Sequence, residues 1–491
     1  MRITGLSLAW LVVLLLLSVG LSRPAAHAAQ PLVTAIADPA EFAGPDAQVA
    51  FDRSAGAGAS VVRIFISWTE VAPQGYTKPA GFDARNPADP QYRWEGADRQ
   101  IRLAVARGLT PIVGLAWAPG WAETASNGGF TGAGRPDPRE YGDFAHAAAR
   151  RYGGAFADLP RVRYWEAWNE PNLFVNLLPQ YDTPLSEPVS TTSKPLSGNH
   201  YRRLLNAFAA SVHRVHRNNV VIGGGLAPFA RYGAREHGVA PMVFMRQMLC
   251  MTQRNRPKRG CRGRAHLDVW SHHPYTEGGP THRADSPDNV SLGDLPRMRR
   301  LLRAAIEAGH IQSRRKVRFW VTEFAWDTDP PDPNTVPLKL HGRWVAEALY
   351  RMWLNRISLV TWFQIRDDYR PDLPKPAEYT AGLYFRCLSG PACDTPKPAL
   401  TAFRFPFVAF KSRNGTVAIW GRTPAGQRAR VLIEQRRDGG WRRLARRRTD
   451  RFGIFQARLP AGAGPLRATG AGFTSLPFSL KRPPDRQVSP F

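Results

Sequence analysis

Short runs of apolar, β-branched and aromatic residues alternate with longer amphipathic segments along most of the chain. These runs are predicted strands, and eight of them precede the C-terminal region: Leu32–Ile36, Ser60–Ile66, Thr110–Leu115, Val162–Trp168, Val220–Gly224, Leu267–Ser271, Val317–Glu323 and Leu359–Gln364. The segments between them are predicted helices, most clearly Gly96–Arg107, Tyr141–Tyr152, Tyr201–Arg217, Pro241–Met251, Leu295–Ala308 and Leu340–Leu354. Strand–helix alternation repeated eight times is typical of the α/β class and predicts a (β/α)8 TIM barrel over residues 30–400.

The pattern changes after the barrel region. Six short alternating runs follow: Phe407–Lys411, Thr416–Arg422, Arg428–Gln435, Trp441–Arg447, Gly453–Arg458 and Leu466–Thr469. Asp438-Gly439-Gly440 and Thr449-Asp450-Arg451-Phe452-Gly453 are predicted hairpin turns. Short strands at this density predict a small β-sandwich of the immunoglobulin or fibronectin kind over residues 401–491, with a loose tail from Pro483. Its role is a stabilising appendage or a carbohydrate-binding module, in which Trp420 and Trp441 would be the candidates for sugar stacking.

Residues 1–29 have the pattern of a secretory signal peptide. Arg2 gives a positive start, Leu6–Val19 is apolar, and Ala26-His27-Ala28 is a small-x-small cleavage site. An uncleaved membrane anchor is the alternative, because the apolar stretch from Ile3 to Leu21 is nearly long enough to span a bilayer. We expect a secreted or extracellular protein, with membrane contact through this segment if it is not removed.

The chain contains four cysteines, an even number that suits an exported protein. Cys250 and Cys261 flank a basic loop, and Cys387 and Cys393 flank a second short loop. The spacing predicts two local disulfides. A metal site is less suited to these cysteines, because the Cys-x-x-Cys and Cys-His spacings that zinc favours are missing.

The formal net charge is +28 and comes mostly from arginine. The simpler interpretation is an arginine-rich composition spread over a solvated surface. The functional interpretation is attraction to a polyanion, such as an acidic polymer of the cell envelope. Nucleic acid is not an expected partner, because the sequence shows no zinc-finger spacing, no RNP aromatic motif and no basic heptad region.

Two predicted strands end on a glutamate. Val162–Trp168 stops at Asn169-Glu170-Pro171, where the proline cannot donate to a sheet, and Val317–Glu323 ends in Thr-Glu-Phe. In a TIM barrel, active sites lie at the carboxyl ends of the strands. Two carboxylates at that end suit glycoside cleavage, in which one protonates the leaving oxygen and the other attacks the anomeric carbon. A cap or surface ion pair is the alternative for either glutamate alone.

The Trp168-Asn169-Glu170-Pro171 motif at the fourth strand and Thr322-Glu323-Phe324 at the seventh resemble clan A of the glycoside hydrolases, which groups retaining (β/α)8 enzymes. The resemblance covers roughly residues 32–400 and includes family 5, which is cellulase-like, and family 39, which contains β-xylosidases. It implies Glu170 as acid/base and Glu323 as nucleophile. Many family 5 members carry a histidine at the end of the third strand, where this chain has Ala116-Trp117, so family 39 stays open.

The resemblance also implies sugar-site residues. Asn169 matches the asparagine that contacts the sugar 2-hydroxyl, and His273 and Tyr275 match a His-x-Tyr motif whose tyrosine hydrogen-bonds the nucleophile. Trp362 matches the aromatic platform under the reacting sugar, which Trp117 would extend. Core packing is the alternative for either tryptophan.

A pair of adjacent histidines and an arginine within an apolar strand can also be interpreted from their side-chain chemistry. His272 and His273 resemble a metal pair, but adjacent strand residues point to opposite faces and cannot easily bind one ion. Arg63 lies in the second predicted strand, Ser60–Ile66, and resembles the arginine of the clan's second strand that lies near the nucleophile. A buried arginine needs a partner, which would be a catalytic carboxylate or a structural ion pair in the barrel.

The sequence therefore predicts a secreted retaining glycosidase acting on a β-linked oligo- or polysaccharide by double displacement. No metal and no organic cofactor are expected. A glycan-binding barrel without turnover, held at the cell envelope, is the alternative from another class.

Overall fold

The computed structural model describes residues 30–231, 237–368, 379–412, 414–484 and 486–488. The predicted signal segment, residues 1–29, lies outside the described residues. Eight parallel strands close into a barrel in which each strand pairs with its neighbours in chain order. They are β1 (Val33–Ala37), β2 (Val61–Ser67), β3 (Thr110–Ala116), β4 (Tyr164–Ala167), β5 (Val220–Leu226), β6 (Val269–His272), β7 (Arg318–Val321) and β8 (Ile357–Phe363). All eight predicted barrel strands are confirmed.

Helices follow the strands and cover the outside of the barrel. They are α1 (Pro39–Ala43), α2 (Ala47–Gly56), α3 (Trp68–Val71), α4 (Glu95–Ala106), α5 (Pro138–Arg151), α6 (Ser197–Val215), α7 (Pro241–Met248), α8 (Leu295–Glu307), α9 (Leu338–Leu354) and α10 (Pro398–Arg404). Their starts follow local sequence signals. At α5, for example, Asp137 accepts from the backbone N–H groups of Arg139 and Glu140, and Pro138 takes the first helical position. The predicted boundary at residue 400 falls inside α10.

Several minor elements complete the barrel region. Single 3-10 turns occupy Gly120–Ala122, Leu292–Asp294 and Pro391–Cys393. Pairs of two-residue strands join Ala265–His266 to Ile311–Gln312, Thr328–Asp329 to Val336–Pro337, and Tyr384–Phe385 to Thr395–Pro396. Among the described residues, no helix combines the length and apolar character needed to cross a membrane.

The inside of the barrel has an apolar lower layer and a polar upper layer. The lower layer is a separate buried cluster that includes Ala35, Val61, Ile112, Val220, Ile222, Val269, Trp320 and Leu359. Because side chains alternate along a strand, the residues two places further on also point inwards. In β2, β4, β6 and β8 these are Arg63, Glu166, Ser271 and Thr361, and all four are buried. Polar groups are therefore collected just below the end of the barrel where an active site would lie.

The C-terminal region is a β-sandwich, as the sequence predicted. One sheet contains β9 (Phe407–Lys411), β10 (Thr416–Arg422) and β13 (Ile454–Pro460), and the other contains β11 (Arg430–Arg437), β12 (Gly440–Arg448), β14 (Leu466–Gly470) and β15 (Phe473–Thr474). A 3-10 turn at Pro424–Gly426 connects β10 to β11. Asp438 and Gly439 both have positive φ, 48° and 77°, which is the geometry of the predicted hairpin turn between β11 and β12.

Two expectations about this region were wrong. Thr449–Gly453 forms a tight turn, but it connects β12 to β13, which belong to different sheets, so it is not a hairpin. The predicted loose tail is attached at its end, because the Val488 N–H donates to the Glu277 oxygen of the barrel at 3.0 Å and Val488 is buried. Long-range contacts of this kind leave no local sequence signal.

Trp420 joins the sandwich to the barrel and is not available for sugar stacking. Its side chain is 2% exposed, and its ring lies 5.4 Å from Tyr350 and 5.7 Å from Trp353, both on α9. Trp441 is half-buried, with the Arg467 guanidinium 4.1 Å from the centre of its ring. The two tryptophans therefore differ in role, although both stand in strands of the sandwich.

Both predicted disulfides are present. Cys250 is bonded to Cys261 and Cys387 to Cys393, with a Cα–Cα distance of 5.6 Å in each case. The second disulfide closes the loop that immediately precedes Asp394, whose side chain is fully buried in an ion pair with Arg366. This bond therefore supports the buried ion pair beneath the segment that follows β8.

Replacing Trp420 with alanine tests the contact between the two domains. We expect Trp420→Ala to lower the free energy of unfolding by about 3–5 kcal/mol, since it removes a buried indole and leaves a cavity. The matched variant Trp441→Ala should cost about 1 kcal/mol or less, because that ring is half-exposed. Urea unfolding followed by tryptophan fluorescence and circular dichroism measures both. Equal losses in the two variants would contradict this description of the interface.

Candidate active site

The end of β4 positions Glu170 through an irregular backbone. The strand ends at Ala167, and Trp168 and Glu170 then adopt positive φ values of 68° and 40°. A left-handed backbone conformation is unfavourable for tryptophan and for glutamate. Such residues adopt it where surrounding contacts impose it. The Glu170 N–H donates to the Gly225 oxygen of β5 at 2.9 Å, and the Trp168 N–H donates to the Leu115 oxygen of β3 at 3.0 Å. Neighbouring strands therefore fix the backbone that carries Glu170.

Apolar side chains surround Glu170, but the two tryptophans that precede it in the chain are not among them. Trp165 and Trp168 are fully buried and pack on Tyr152 and Tyr141 instead of facing the cleft. Glu170 opens into a cleft with Glu323, and the cleft is lined by Leu173, Ala227, Pro228, Phe229, Arg231, Tyr275, Phe363 and Tyr379. The Glu170 side chain is 13% exposed, and the loss of hydration raises its carboxyl pKa to about 7, although the positive charge of Arg63 acts in the opposite direction.

His273 holds Glu170 without adding a charge. Its Nδ1 lies 2.9 Å from Glu170 Oε1, and its Nε2 lies 3.1 Å from the Thr322 hydroxyl. Burial lowers the pKa of His273 to about 4, so the imidazole is neutral at neutral pH. His272 points the other way, towards the Val290 oxygen at 2.8 Å. The two histidines therefore do not form a metal pair, as the strand alternation predicted.

Glu323 accepts two strong hydrogen bonds at the end of β7. Arg63 Nη1 donates to Oε2 at 2.7 Å, and the Tyr275 hydroxyl donates to Oε1 at 2.8 Å. Burial raises the pKa of the Tyr275 hydroxyl well above its ordinary value, and the negative charge of Glu323 adds to this effect, so the phenol stays protonated as a donor. One permanent cation and one neutral donor thus fix the orientation of the Glu323 carboxylate.

The two glutamates are close together. One carboxylate oxygen of Glu170, one of Glu323 and one ring nitrogen of His273 all lie within 4.8 Å of one another. The enclosed part of the cleft has a volume of about 50 Å³. A retaining glycosidase separates its two carboxyl groups by about 5–5.5 Å, whereas an inverting enzyme needs about 6.5–9.5 Å to admit a water molecule. The separation between the Glu170 and Glu323 oxygens is therefore closer to the retaining range than to the inverting range.

Glu166 is a site residue that the sequence analysis missed. It is fully buried in β4, accepts from Arg63 Nε at 2.6 Å, and accepts from the Ser271 hydroxyl at 3.2 Å. Arg63 therefore lies between two carboxylates, Glu166 below and Glu323 above. A glutamate inside the apolar run Tyr164–Ala167 was the available signal, because a buried charge needs a partner. Arg63 therefore contacts both kinds of partner that the sequence left open: Glu323, the candidate catalytic carboxylate, and Glu166, in a buried ion pair inside the barrel.

Arg63 keeps its charge because of these two carboxylates. Burial alone would lower the pKa of its guanidinium, but the negative charges of Glu166 and Glu323 together raise it. The third donor, Nη2, reaches the Asn169 Oδ1 oxygen at 3.1 Å. Since that oxygen is occupied, the amide NH2 group of Asn169 is the side that can donate to a ligand.

The aromatic side chain at the end of β8 that faces the cleft is Phe363, and the prediction of Trp362 was wrong. Trp362 is 1% exposed, donates to the Ala381 oxygen at 2.9 Å, and packs on Phe403 of α10. Leu359 and Thr361 point into the barrel, so Phe363 shares their side and Trp362 faces the helices.

Trp117 lies at the rim and does not line the cleft between the glutamates. It follows β3 with a φ of 62°, packs at 5.3 Å on Phe65, and donates from Nε1 to the Asn176 Oδ1 oxygen at 3.3 Å. The structure thus brings together Arg63, Asn169, Glu170, His273, Tyr275 and Glu323, and leaves Trp117 and Trp362 outside this group.

Glu170, His273 and Glu323 are close enough to surround a cation. Arg63, however, already places a positive guanidinium 2.7 Å from Glu323 Oε2 and would repel a second cation there. His273 also has both ring nitrogens engaged, with Glu170 and Thr322. These contacts suit a pair of carboxyl groups with separate chemical roles better than metal binding.

No protein-family model matches the sequence, and no curated protein sequence matches it either. Solved structures with a similar fold include a glucosidase from Croceicoccus marinus, at 13% identity over 90% of this chain and 95% of that chain, with a TM-score of 0.46. A β-glucosidase from Trichoderma harzianum is 12% identical over 76% and 95% of the two chains, with a TM-score of 0.43. A β-galactosidase from Marinomonas ef1 is 14% identical over 76% and 58%, with a TM-score of 0.43.

The raised pKa of Glu170 has a consequence for stability. A carboxyl with a folded-state pKa of about 7 and an ordinary value of 4.5 binds its proton more tightly in the folded state. Stability from this group is therefore highest at low pH and is lost between these two values as the pH rises. Glutamine cannot ionise, so Glu170→Gln should exceed wild type by about 3 kcal/mol near pH 8 and match it near pH 4.5.

Urea unfolding of wild type and Glu170→Gln at the two pH values measures this difference. Glu140→Gln, on the outer surface of α5, is the matched control and should show no gain that depends on pH. A Glu170→Gln variant that is no more stable than wild type at the higher pH would contradict the buried, proton-binding environment.

Proposed function

We propose that this protein is a retaining glycoside hydrolase that acts on β-linked glycans. The observation that carries the proposal is the pair of glutamate oxygens within 4.8 Å at the carboxyl ends of β4 and β7. The short separation leaves too little space for a water molecule between the carboxylate and a bound sugar, and it favours direct attack by one carboxylate. The different environments of the two glutamates supply the different roles that this reaction needs.

Glu170 is the general acid in this proposal. With a pKa of about 7 it remains partly protonated at neutral pH, whereas an ordinary glutamate with a value of 4.5 is almost fully ionised. Neutral His273, at 2.9 Å, orients the carboxyl group without the positive charge that would lower its pKa. The proton of Glu170 passes to the glycosidic oxygen as the bond to the leaving group breaks.

Glu323 is the nucleophile. It attacks the anomeric carbon. Arg63 and Tyr275 each donate to one of its two carboxylate oxygens and so keep the carboxylate from rotating. The product of this step is a glycosyl-enzyme ester on Glu323. Glu170, now ionised, takes a proton from a water molecule or from an acceptor sugar, whose oxygen displaces Glu323 and restores both groups.

The sugar is held by groups around this pair. The Asn169 amide NH2 is free to donate to a sugar hydroxyl, because Arg63 occupies the oxygen side. Phe363 offers an apolar ring for the C–H face of the sugar. The cleft has a volume of about 50 Å³, and Phe229 and Arg231 are among the residues that line it.

A glycan-binding barrel without turnover is the alternative function, because the Asn169 amide and the Phe363 ring would hold a sugar whether or not it is cleaved.

We also propose that the protein works outside the cell. Two disulfides suit an oxidising compartment, and they agree with the signal-like sequence of residues 1–29.

Kinetics on nitrophenyl β-glycosides of glucose, xylose, mannose and galactose, together with β-glucan, xylan and mannan, test the proposal. We expect turnover by wild type with retained anomeric configuration in proton NMR. Glu170→Ala should lower kcat by about 10²–10⁴ on glycans whose leaving group needs a proton, and Glu323→Ala should leave no measurable turnover.

Glu140→Ala is the matched control and should keep wild-type activity, since Glu140 pairs with Lys78 on the outside of the barrel. Saturable binding of one of these glycans without turnover would favour the binding alternative. Inversion of configuration would exclude Glu323 as a nucleophile.

A further inference from the structure

The outer face of the four-stranded sheet in the sandwich is rich in arginine. Val431, Ile433 and Gln435 of β11 are buried in the sandwich, so the alternate residues of this strand face outwards. The register extends this face to the neighbouring strands β12 and β14. We call it the arginine face, and its charged members are Arg430, Glu434, Arg436, Arg443, Arg446, Arg448 and Arg467.

Most of these arginines have no counter-charge. Arg467 pairs with Glu434 at 2.9 Å. Among the described residues, no carboxylate forms an ion pair with the rest of the set, which is Arg430, Arg436, Arg443, Arg446 and Arg448. The arginine face therefore carries five arginines that no described carboxylate neutralises, all on one side of one sheet.

The face includes a directly opposed pair of like charges. Arg430 of β11 stands opposite Arg448 of β12 in the sheet register, and cross-strand like charges destabilise a sheet. Protection of the edge strand β12 against aggregation accounts for arginines on that strand. It does not account for Arg430 and Arg436, because β11 is an internal strand paired on both sides. A ligand that neutralises the face accounts for both sets.

We propose that the arginine face binds an acidic polysaccharide and so attaches the protein to a polyanionic glycan. Arg443 to Arg448 span about 17 Å of extended strand, and adjacent strands lie about 4.8 Å apart. These separations are comparable with the screening length of about 8–10 Å at moderate salt, so the arginines act together on a charged chain. A rigid sheet also holds the guanidinium groups ready for carboxylate or sulfate groups, which they bind through paired hydrogen bonds.

A glycan fits this face better than a nucleic acid does. Single-stranded nucleic acids are bound by basic grooves with several aromatic rings on which bases stack. The arginine face carries one such ring, Trp441, and the guanidinium of Arg467 covers it at 4.1 Å. The face is a flat sheet surface lacking that series of rings. The inference does not rest on the proposed catalytic function, because it concerns a different domain and is tested by binding.

The test compares two triple variants of the full chain. Arg436→Gln with Arg443→Gln and Arg446→Gln removes three charges from the arginine face. Arg254→Gln with Arg256→Gln and Arg259→Gln removes three from the exposed basic loop that the Cys250–Cys261 disulfide closes. Binding to polygalacturonate, to neutral dextran and to single-stranded DNA is measured by calorimetry over a series of NaCl concentrations, and thermal unfolding shows that both variants are folded.

We expect wild type to bind polygalacturonate more strongly than DNA of equal charge concentration, with an affinity that falls as salt rises, and not to bind dextran. The face variant should lose about tenfold or more in affinity near 50 mM salt and show a shallower salt dependence, while the loop variant stays within about twofold of wild type. Equal losses in the two variants, tighter binding to DNA, or no binding by wild type would overturn the proposal.

Discussion

The ion pairs of Arg63 with Glu166 and Glu323 are the interaction on which the site depends. A guanidinium that is 1% exposed inside a barrel is stable there because two carboxylates lie within 2.7 Å of it. Removing Arg63 would leave the buried Glu166 carboxylate without its counter-charge, which costs about 3–5 kcal/mol. The barrel supplies this geometry through strand alternation alone: β2 points Arg63 inwards, β4 points Glu166 inwards, and β7 ends where Glu323 can reach the same cation. The third donor of Arg63 holds Asn169, next to Glu170.

This cation also separates the chemistry of the two glutamates. Glu323 receives a direct hydrogen bond from Arg63 and another from Tyr275, whereas Glu170 has neutral His273 as its partner. Burial can therefore raise the pKa of Glu170 to about 7, with Arg63 opposing that rise from a greater distance. One carboxyl that keeps its proton and one that is held by a cation are the pair that double displacement requires. The roles follow from the surroundings, since the two residues are chemically identical.

Sequence periodicity was sufficient to predict the barrel and the sandwich. Glu170 and Glu323 were singled out because two predicted strands end on them, whereas Arg63 and Tyr275 were singled out by the resemblance to clan A. Trp362 was wrongly placed because adjacent residues on a strand face opposite sides, and the choice between Trp362 and Phe363 depends on a register that a motif does not give. Glu166, the buried Trp420 and the attached Val488 depend on partners far away in the chain, and local patterns contain no information about such partners.

Mass spectrometry of a trapped intermediate tests the central claim most directly. Dinitrophenyl β-glycosides that carry fluorine in place of the hydroxyl next to the anomeric carbon slow both steps, but their good leaving group lets the first step proceed, so the glycosyl-enzyme accumulates. Our account predicts that wild type gains the mass of one glycosyl unit and that peptide mapping places it on Glu323. An adduct on Glu170, or continued turnover of glycans without any adduct, would contradict it.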